Sequence, residues 1–69
     1  MNREIKFLVI YIEKQKKYLK HLQASMKATE DEKDLKYLKA TQKVVEQDIA
    51  QKEARLEELR REVKQNEQG

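Results

Sequence analysis

The sequence of 69 residues predicts an all-α fold: an antiparallel, coiled-coil-like two-helix hairpin, expected to dimerise into a four-helix bundle. Two stretches carry apolar residues at alternating spacings of three and four, the pattern of a coiled-coil seam. The two patterns are out of phase by two residues, so one straight helix cannot keep both on one side. The chain has no proline and one glycine, at its last position, which leaves few means of making the tight turns of a sheet. We therefore expect a single helical-hairpin domain over residues 1–69.

Helix 1 is predicted over about residues 3–27. Its seam positions are Ile5, Leu8, Ile12, Gln15, Leu19, Leu22 and Met26. Gln15 is the one polar interruption. Near its start the helix also carries apolar residues off the seam, which is typical of a helix that is buried on more than one side.

Helix 2 is predicted over about residues 30–66. Its seam positions are Leu35, Leu38, Gln42, Val45, Ile49, Lys52, Leu56, Leu59 and Val63. A weaker second stripe follows another side of the same helix: Tyr37, Ala40, Val44, Gln47, Gln51 and Ala54. Several of these side chains are small enough for close approach of a further helix.

A break is predicted at about residues 28–30, where the two seam patterns change phase. Thr29 and Glu32 match a capping box, in which the threonine hydroxyl would accept a hydrogen bond from the backbone N–H of Glu32. The acidic residues of this segment also suit the positive end of a helix dipole. Both signals indicate that helix 2 begins here.

Folding the chain at this break gives a specific register. In an antiparallel pair the numbers of facing residues add to a constant, and a value of 57 would place Leu8 opposite Ile49 and Gln15 opposite Gln42. Two glutamines in one layer could satisfy each other and disfavour slipped registers. We therefore predict Gln15 and Gln42 as a register pair.

Two surplus apolar regions predict self-association. In this register the end of helix 2 has no intrachain partner, and the start of helix 1 has exposed apolar side chains. The residues expected to form an oligomer or partner interface are Phe7, Ile10, Tyr11, Leu56, Leu59 and Val63. A homodimer, in which the tail of one hairpin covers helix 1 of the other, would bury both regions. The open alternatives are a parallel dimer through the tail and a different protein partner.

Nothing in the sequence indicates an enzyme. There is no cysteine, and the only histidine, His21, has no acidic residue one helical turn away to orient it and no second metal ligand. Ser25, the only serine, has no local base. Alternating acids and bases late in helix 2 are typical of an exposed helix surface. We expect no catalytic residue, no cofactor and no metal.

The charges are unevenly distributed. Residues 1–28 carry seven bases and two acids, a net charge of +5, and residues 29–69 carry nine bases and eleven acids, a net charge of −2. Folding would bring many lysines together beside tyrosines. The lysines of a possible nucleic-acid or acidic-partner patch are Lys14, Lys17, Lys20, Lys36 and Lys43. The patch contains no arginine, the residue best suited to bidentate phosphate contacts.

We therefore expect a non-enzymatic protein–protein interaction module, such as a small adaptor, regulator or assembly factor, that acts as a homodimer. The alternative is a small regulatory protein that binds an RNA or DNA backbone through its lysines. The apolar run from Ile5 to Ile12 is too short to span a bilayer and lacks a cleavage site after it, so a membrane partner is not expected and the location is expected to be cytoplasmic.

Overall fold

The computed structural model describes the backbone of residues 2–68 and the side chains of residues 2–65. Two α-helices account for nearly all of this part of the chain, α1 from Arg3 to Ala28 and α2 from Glu32 to Gln68. They pack against each other as a hairpin with dimensions of 57 × 15 × 13 Å. The prediction of an all-helical hairpin is confirmed. The helix α2 is 37 residues long and α1 is 26, so α2 continues past the start of its partner.

Side chains satisfy backbone groups at both ends of α1. The carboxamide oxygen of Asn2 accepts a hydrogen bond of 2.8 Å from the backbone N–H of Glu4, which caps the first turn. At the other end the Thr29 hydroxyl donates a hydrogen bond of 2.7 Å to the carbonyl of Ser25. Thr29 itself is extended, with φ −90° and ψ 127°, and the helix ends before it.

Asp31, and not Thr29, caps the start of α2. Its carboxylate accepts a hydrogen bond of 2.8 Å from the backbone N–H of Lys33, and its carbonyl accepts one of 3.0 Å from Leu35. The predicted capping box of Thr29 and Glu32 is therefore wrong, because the threonine hydroxyl is used at the end of α1. As a result α2 begins two residues later than predicted, after a linker of Thr29, Glu30 and Asp31.

The core is a single line of aliphatic side chains between the helices. Its buried members are Leu8, Ile12, Leu22, Val45, Ile49, Leu56 and Leu59, and Ile5, Val9, Leu19 and Leu38 pack against them. Each buried aliphatic side chain contributes roughly 1.5–3 kcal/mol. These are the residues that the two seam patterns predict, apart from Val9.

The helices pair further along α2 than the predicted register. The contacts across the hairpin join Tyr11 to Asp48, Gln15 to Asp48, Glu4 to Arg55 and Lys16 to Glu53, and the numbers of each pair add to more than 57. The cause is the linker, because the midpoint between two helices fixes which residues face each other. A later start for α2 moves every one of its residues along α1.

This shift changes the role of the α2 tail. Leu59 is only 3% exposed and Leu56 only 9%, and both belong to the hairpin core. The expectation that they lack an intrachain partner is wrong, since the shift draws them alongside the start of α1. Val63 is partly exposed.

Candidate association face

A polar cluster beside the core joins the two helices. The carboxylate of Asp48 on α2 accepts hydrogen bonds of 2.5 Å from the Tyr11 hydroxyl and 3.0 Å from the Gln15 side-chain amide. Lys52 lies one turn further along α2 and forms a salt bridge of 3.2 Å with the same carboxylate. Its ammonium group also lies 5.5 Å from the centre of the Tyr11 ring. One acid thus receives three donors from both helices.

These contacts alter the acidity of both partners. The hydrogen bond from Tyr11, followed by that from Gln15, lowers the pKa of Asp48. Desolvation opposes this effect, and the hydrogen bond and charge of Lys52 add to it. The hydrogen bond to Asp48 raises the pKa of Tyr11, and desolvation and the negative charge of Asp48 act in the same direction. The cluster therefore favours an ionised Asp48 and a protonated Tyr11.

A cross-helix ion pair lies on the same side of the hairpin. Arg55 lies seven residues after Asp48, and its guanidinium forms a salt bridge of 3.2 Å with Glu4 on α1 and another of 3.2 Å with Glu58. The hydrogen bond and charge of Glu4 raise the pKa of Arg55. All three side chains are largely exposed, so these pairs contribute little to stability.

Exposed apolar side chains gather on this same side. Phe7 and Tyr18 lie four residues before and seven after Tyr11, so the helical repeat puts the three on one side of α1. On α2, Val44 and Tyr37 lie four and eleven residues before Asp48 and share its side. The Phe7 and Tyr11 rings stack with centroids 5.9 Å apart. We call this surface the aromatic face: Phe7, Tyr11, Tyr18, Tyr37 and Val44.

The aromatic face leaves large apolar side chains in water. Phe7 is 61% exposed, Tyr18 47%, Tyr37 71% and Val44 65%. Exposed large apolar side chains that gather on one side of a protein often mark an interaction surface. Ile10 is also 46% exposed, but it lies on the outer edge of α1, next to this face.

The opposite side of the hairpin is charged. A salt bridge of 3.8 Å between Lys16 and Glu53 identifies it. The residues one, two or three turns from this pair are mostly charged as well: Glu13, Lys20, Lys27, Glu46, Glu57, Arg60 and Lys64. The hairpin is thus a two-helix layer with one aromatic and one charged side.

The two predicted register glutamines bond to other residues. Gln15 donates to Asp48, and Gln42 donates a hydrogen bond of 2.8 Å to Glu46 on its own helix. The amide oxygen of Gln42 is buried without a hydrogen-bond partner in the described part of the chain. The predicted hydrogen-bonded pair is therefore replaced by Gln15 and Asp48, because the register moves Gln42 away from Gln15.

The five predicted patch lysines are exposed, and they lie on both helices: Lys14, Lys17 and Lys20 on α1, Lys36 and Lys43 on α2. They do not share one side of the hairpin. Lys20 lies one turn after Lys16 on the charged side, and Lys14 lies seven residues after Phe7, on the side of the aromatic face. None of the five forms a salt bridge within the described residues.

The residues considered for catalysis lie apart. His21 and Ser25 are exposed on α1, and the contact that the structure gives Ser25 is the bond from Thr29 to its carbonyl. Within the described residues, no group of three or more histidine, cysteine, aspartate or glutamate side chains could hold a metal ion. Neither described helix has a stretch long and apolar enough to cross a bilayer.

Sequence reasoning missed Asp48 as the partner of Gln15 and missed Tyr18 on the aromatic face. Asp48 lies beside the seam rather than on it, so a comparison of seam positions alone passes over it. Tyr18 carries a usable signal, because it follows Tyr11 by seven residues.

The fold and this face define an antiparallel two-helix hairpin with one uncovered aromatic side. In comparisons with known proteins, no family model, no curated protein and no solved structure matches the chain.

Proposed function

We propose that the chain is a non-enzymatic protein–protein interaction module that acts as a homodimer through its aromatic face. The observation that carries this proposal is the exposure of Phe7, Tyr18 and Tyr37 with Val44 on one side of the hairpin. The interface proposed here differs from the predicted one, because Leu56 and Leu59 are used in the hairpin core.

The energetics favour association through this side. A chain of this length has a small core, and small helical domains commonly gain stability by forming oligomers. Burial of each large apolar side chain of the face would contribute roughly 1.5–3 kcal/mol. The charged side of the hairpin offers no comparable gain, because its side chains would lose hydration.

Sedimentation equilibrium over a wide concentration range tests the proposal. The unaltered chain should have the mass of two copies, and Val44→Lys should shift it to one copy, since a lysine would be buried at the centre of the face. Ala50→Lys is the matched control. Ala50 is an exposed residue of the same helix, beside Glu53, and its replacement should leave the dimer intact. A chain that stays monomeric throughout contradicts the homodimer and leaves the face for a different protein.

A nucleic-acid backbone is the second candidate ligand. The supporting observation is that the five patch lysines are exposed and form no ion pair within the described residues. Phosphate contacts of this kind weaken steeply between about 50 and 200 mM salt. Gel-shift assays with duplex RNA and DNA should then show salt-sensitive retention that is lost when the five lysines are replaced by glutamate. Absence of retention at the lower salt concentration contradicts this candidate.

A further inference from the structure

The second stripe of α2 extends further than the predicted six residues. Lys33 precedes it by four residues and Glu58 follows it by four, which continues the spacing of four and three. The full stripe is Lys33, Tyr37, Ala40, Val44, Gln47, Gln51, Ala54 and Glu58. Every member is exposed in the hairpin, and Tyr37 and Val44 also belong to the aromatic face. This spacing is that of a helix–helix seam which has no partner within the hairpin.

We propose that the occupant is the same stripe of a second copy, running in the opposite direction. The inference rests on the proposed homodimer and adds its symmetry: a two-fold axis perpendicular to the long axis of the hairpin, which passes between the two α2 helices at the level of Val44 and Gln47. Around this axis Tyr37 faces Ala54 of the other copy, and Ala40 faces Gln51. Lys33 faces Glu58 at each end of the stripe.

The sizes of the side chains favour the antiparallel arrangement. The largest residue of the stripe, Tyr37, meets one of the smallest, Ala54, so the two helices can keep an even separation along their length. In a parallel arrangement Tyr37 would meet Tyr37 and Ala54 would meet Ala54. One end of the seam would then be overfilled and the other would contain a gap.

The charges favour the same direction. Lys33 and Glu58 carry opposite charges at opposite ends of the stripe, so antiparallel packing pairs lysine with glutamate and parallel packing pairs like with like. The whole hairpin has the same polarity. Residues 14–45, the half that contains the linker, carry nine bases and four acids, a net charge of +5, and the other half carries seven bases and nine acids, a net charge of −2.

Disulfide trapping tests the direction, and the chain contains no cysteine that could interfere. Ala40→Cys and Gln51→Cys chains, mixed and mildly oxidised, should give a covalent heterodimer. Each variant alone should stay uncross-linked, because like positions would be about 16 Å apart along the helix, well beyond disulfide range. Cross-linking of each variant with itself but not in the mixture would overturn the antiparallel arrangement.

A charge exchange tests the end pairs. Lys33→Glu should weaken dimerisation about tenfold, because glutamate would meet Glu58 twice in each dimer. Adding Glu58→Lys should restore the original affinity, since the opposite charges are only exchanged. In a parallel dimer the single substitution would replace one like-charged pair by another, so an unchanged affinity would overturn the proposal.

The two proposals fail in different ways. A chain that sediments as a monomer at every concentration contradicts the homodimer itself. The chain could instead dimerise without cross-linking of the mixed cysteine variants and without a change in affinity on charge exchange. That result contradicts only the antiparallel stripe.

Discussion

Gln15 of α1 donates a hydrogen bond of 3.0 Å to Asp48 of α2, so the only polar residue at a described seam position of α1 obtains its partner from beside the seam of the other helix. Tyr11 donates to the same carboxylate at 2.5 Å. Sliding α2 by one turn in either direction would take the Asp48 carboxylate away from the Gln15 amide. The pair therefore specifies how the two helices align.

Removal of the acid should loosen the hairpin. Asp48→Ala leaves the Gln15 amide partly buried without its acceptor, and it should lower the melting temperature measured by circular dichroism. Adding Gln15→Leu should recover part of the loss, because the unsatisfied amide is then gone.

Glu46→Ala is the control for this experiment. It removes the bond of 2.8 Å from Gln42, which lies within one helix and is exposed, so the melting temperature should change little. If Asp48→Ala and Glu46→Ala have equal effects, Asp48 does not join the helices.

The same carboxylate should make stability depend on pH at the acid end. The donors on Asp48 lower its pKa below the value of about 3.9 that it has in the unfolded chain. The folded state therefore favours the ionised form. The resulting stabilisation is complete above that unfolded value and is lost as the pH falls through the lower folded pKa. The Asp48→Asn variant lacks this stabilisation. The difference in unfolding free energy between the unaltered chain and the variant should therefore be largest near neutral pH and should narrow below about pH 4. A difference that stays constant down to strongly acidic pH would contradict the assignment.

The stabilisation that Tyr11 provides should be lost at alkaline pH rather than at acidic pH. Its pKa is raised in the folded state, so its contribution is complete below the ordinary value of about 10 and is lost as the pH rises through the folded pKa. An ultraviolet titration of tyrosinate should show one group that ionises late. That group should disappear in Tyr11→Phe and return to an ordinary pKa in Asp48→Asn.

The helices themselves follow directly from the sequence. Apolar residues at spacings of three and four fill the core, and the phase change between the two patterns correctly indicates a break. Leu8, Ile12 and Ile49 are buried as predicted. These features depend on the helical repeat, which the spacing of the apolar residues shows several times along each helix.

The register does not follow in the same way. Two seams with the same repeat can be paired one turn apart with almost equally good apolar contacts, so the linker length and the polar groups decide. A comparison of seam positions alone pairs Gln15 with Gln42. In the structure Asp48, which lies beside the seam, accepts hydrogen bonds from both Gln15 and Tyr11. The proposed interface therefore differs from the predicted one, since the register decides whether Leu56 and Leu59 lie in the hairpin core.

Leu59 tests the register through stability. If it belongs to the hairpin core, Leu59→Ala should cost about 2 kcal/mol of unfolding free energy, near the low end for buried leucine because the end of the hairpin is open to water. Denaturant unfolding in a Val44→Lys background, where the chain is expected to be monomeric, separates this loss from any effect on association. Ile10→Ala, at an exposed position on the edge of α1, should cost much less. Equal effects of the two substitutions in the monomer would contradict the core position of Leu59.

The cap of α2 should be visible in a comparison of two linker residues. Asp31 accepts the hydrogen bond from the Lys33 N–H, so Asp31→Ala should destabilise the hairpin by about 0.5–2 kcal/mol, the usual cost of losing an N-cap. Asp31→Asn should retain most of the stability, because the carboxamide oxygen can accept the same bond. Thr29→Ala removes only the exposed bond to the Ser25 carbonyl and should cost less than Asp31→Ala. Denaturant unfolding of the three variants measures these differences, and a larger loss for Thr29→Ala than for Asp31→Ala would return the cap to Thr29 and the start of α2 to its predicted place.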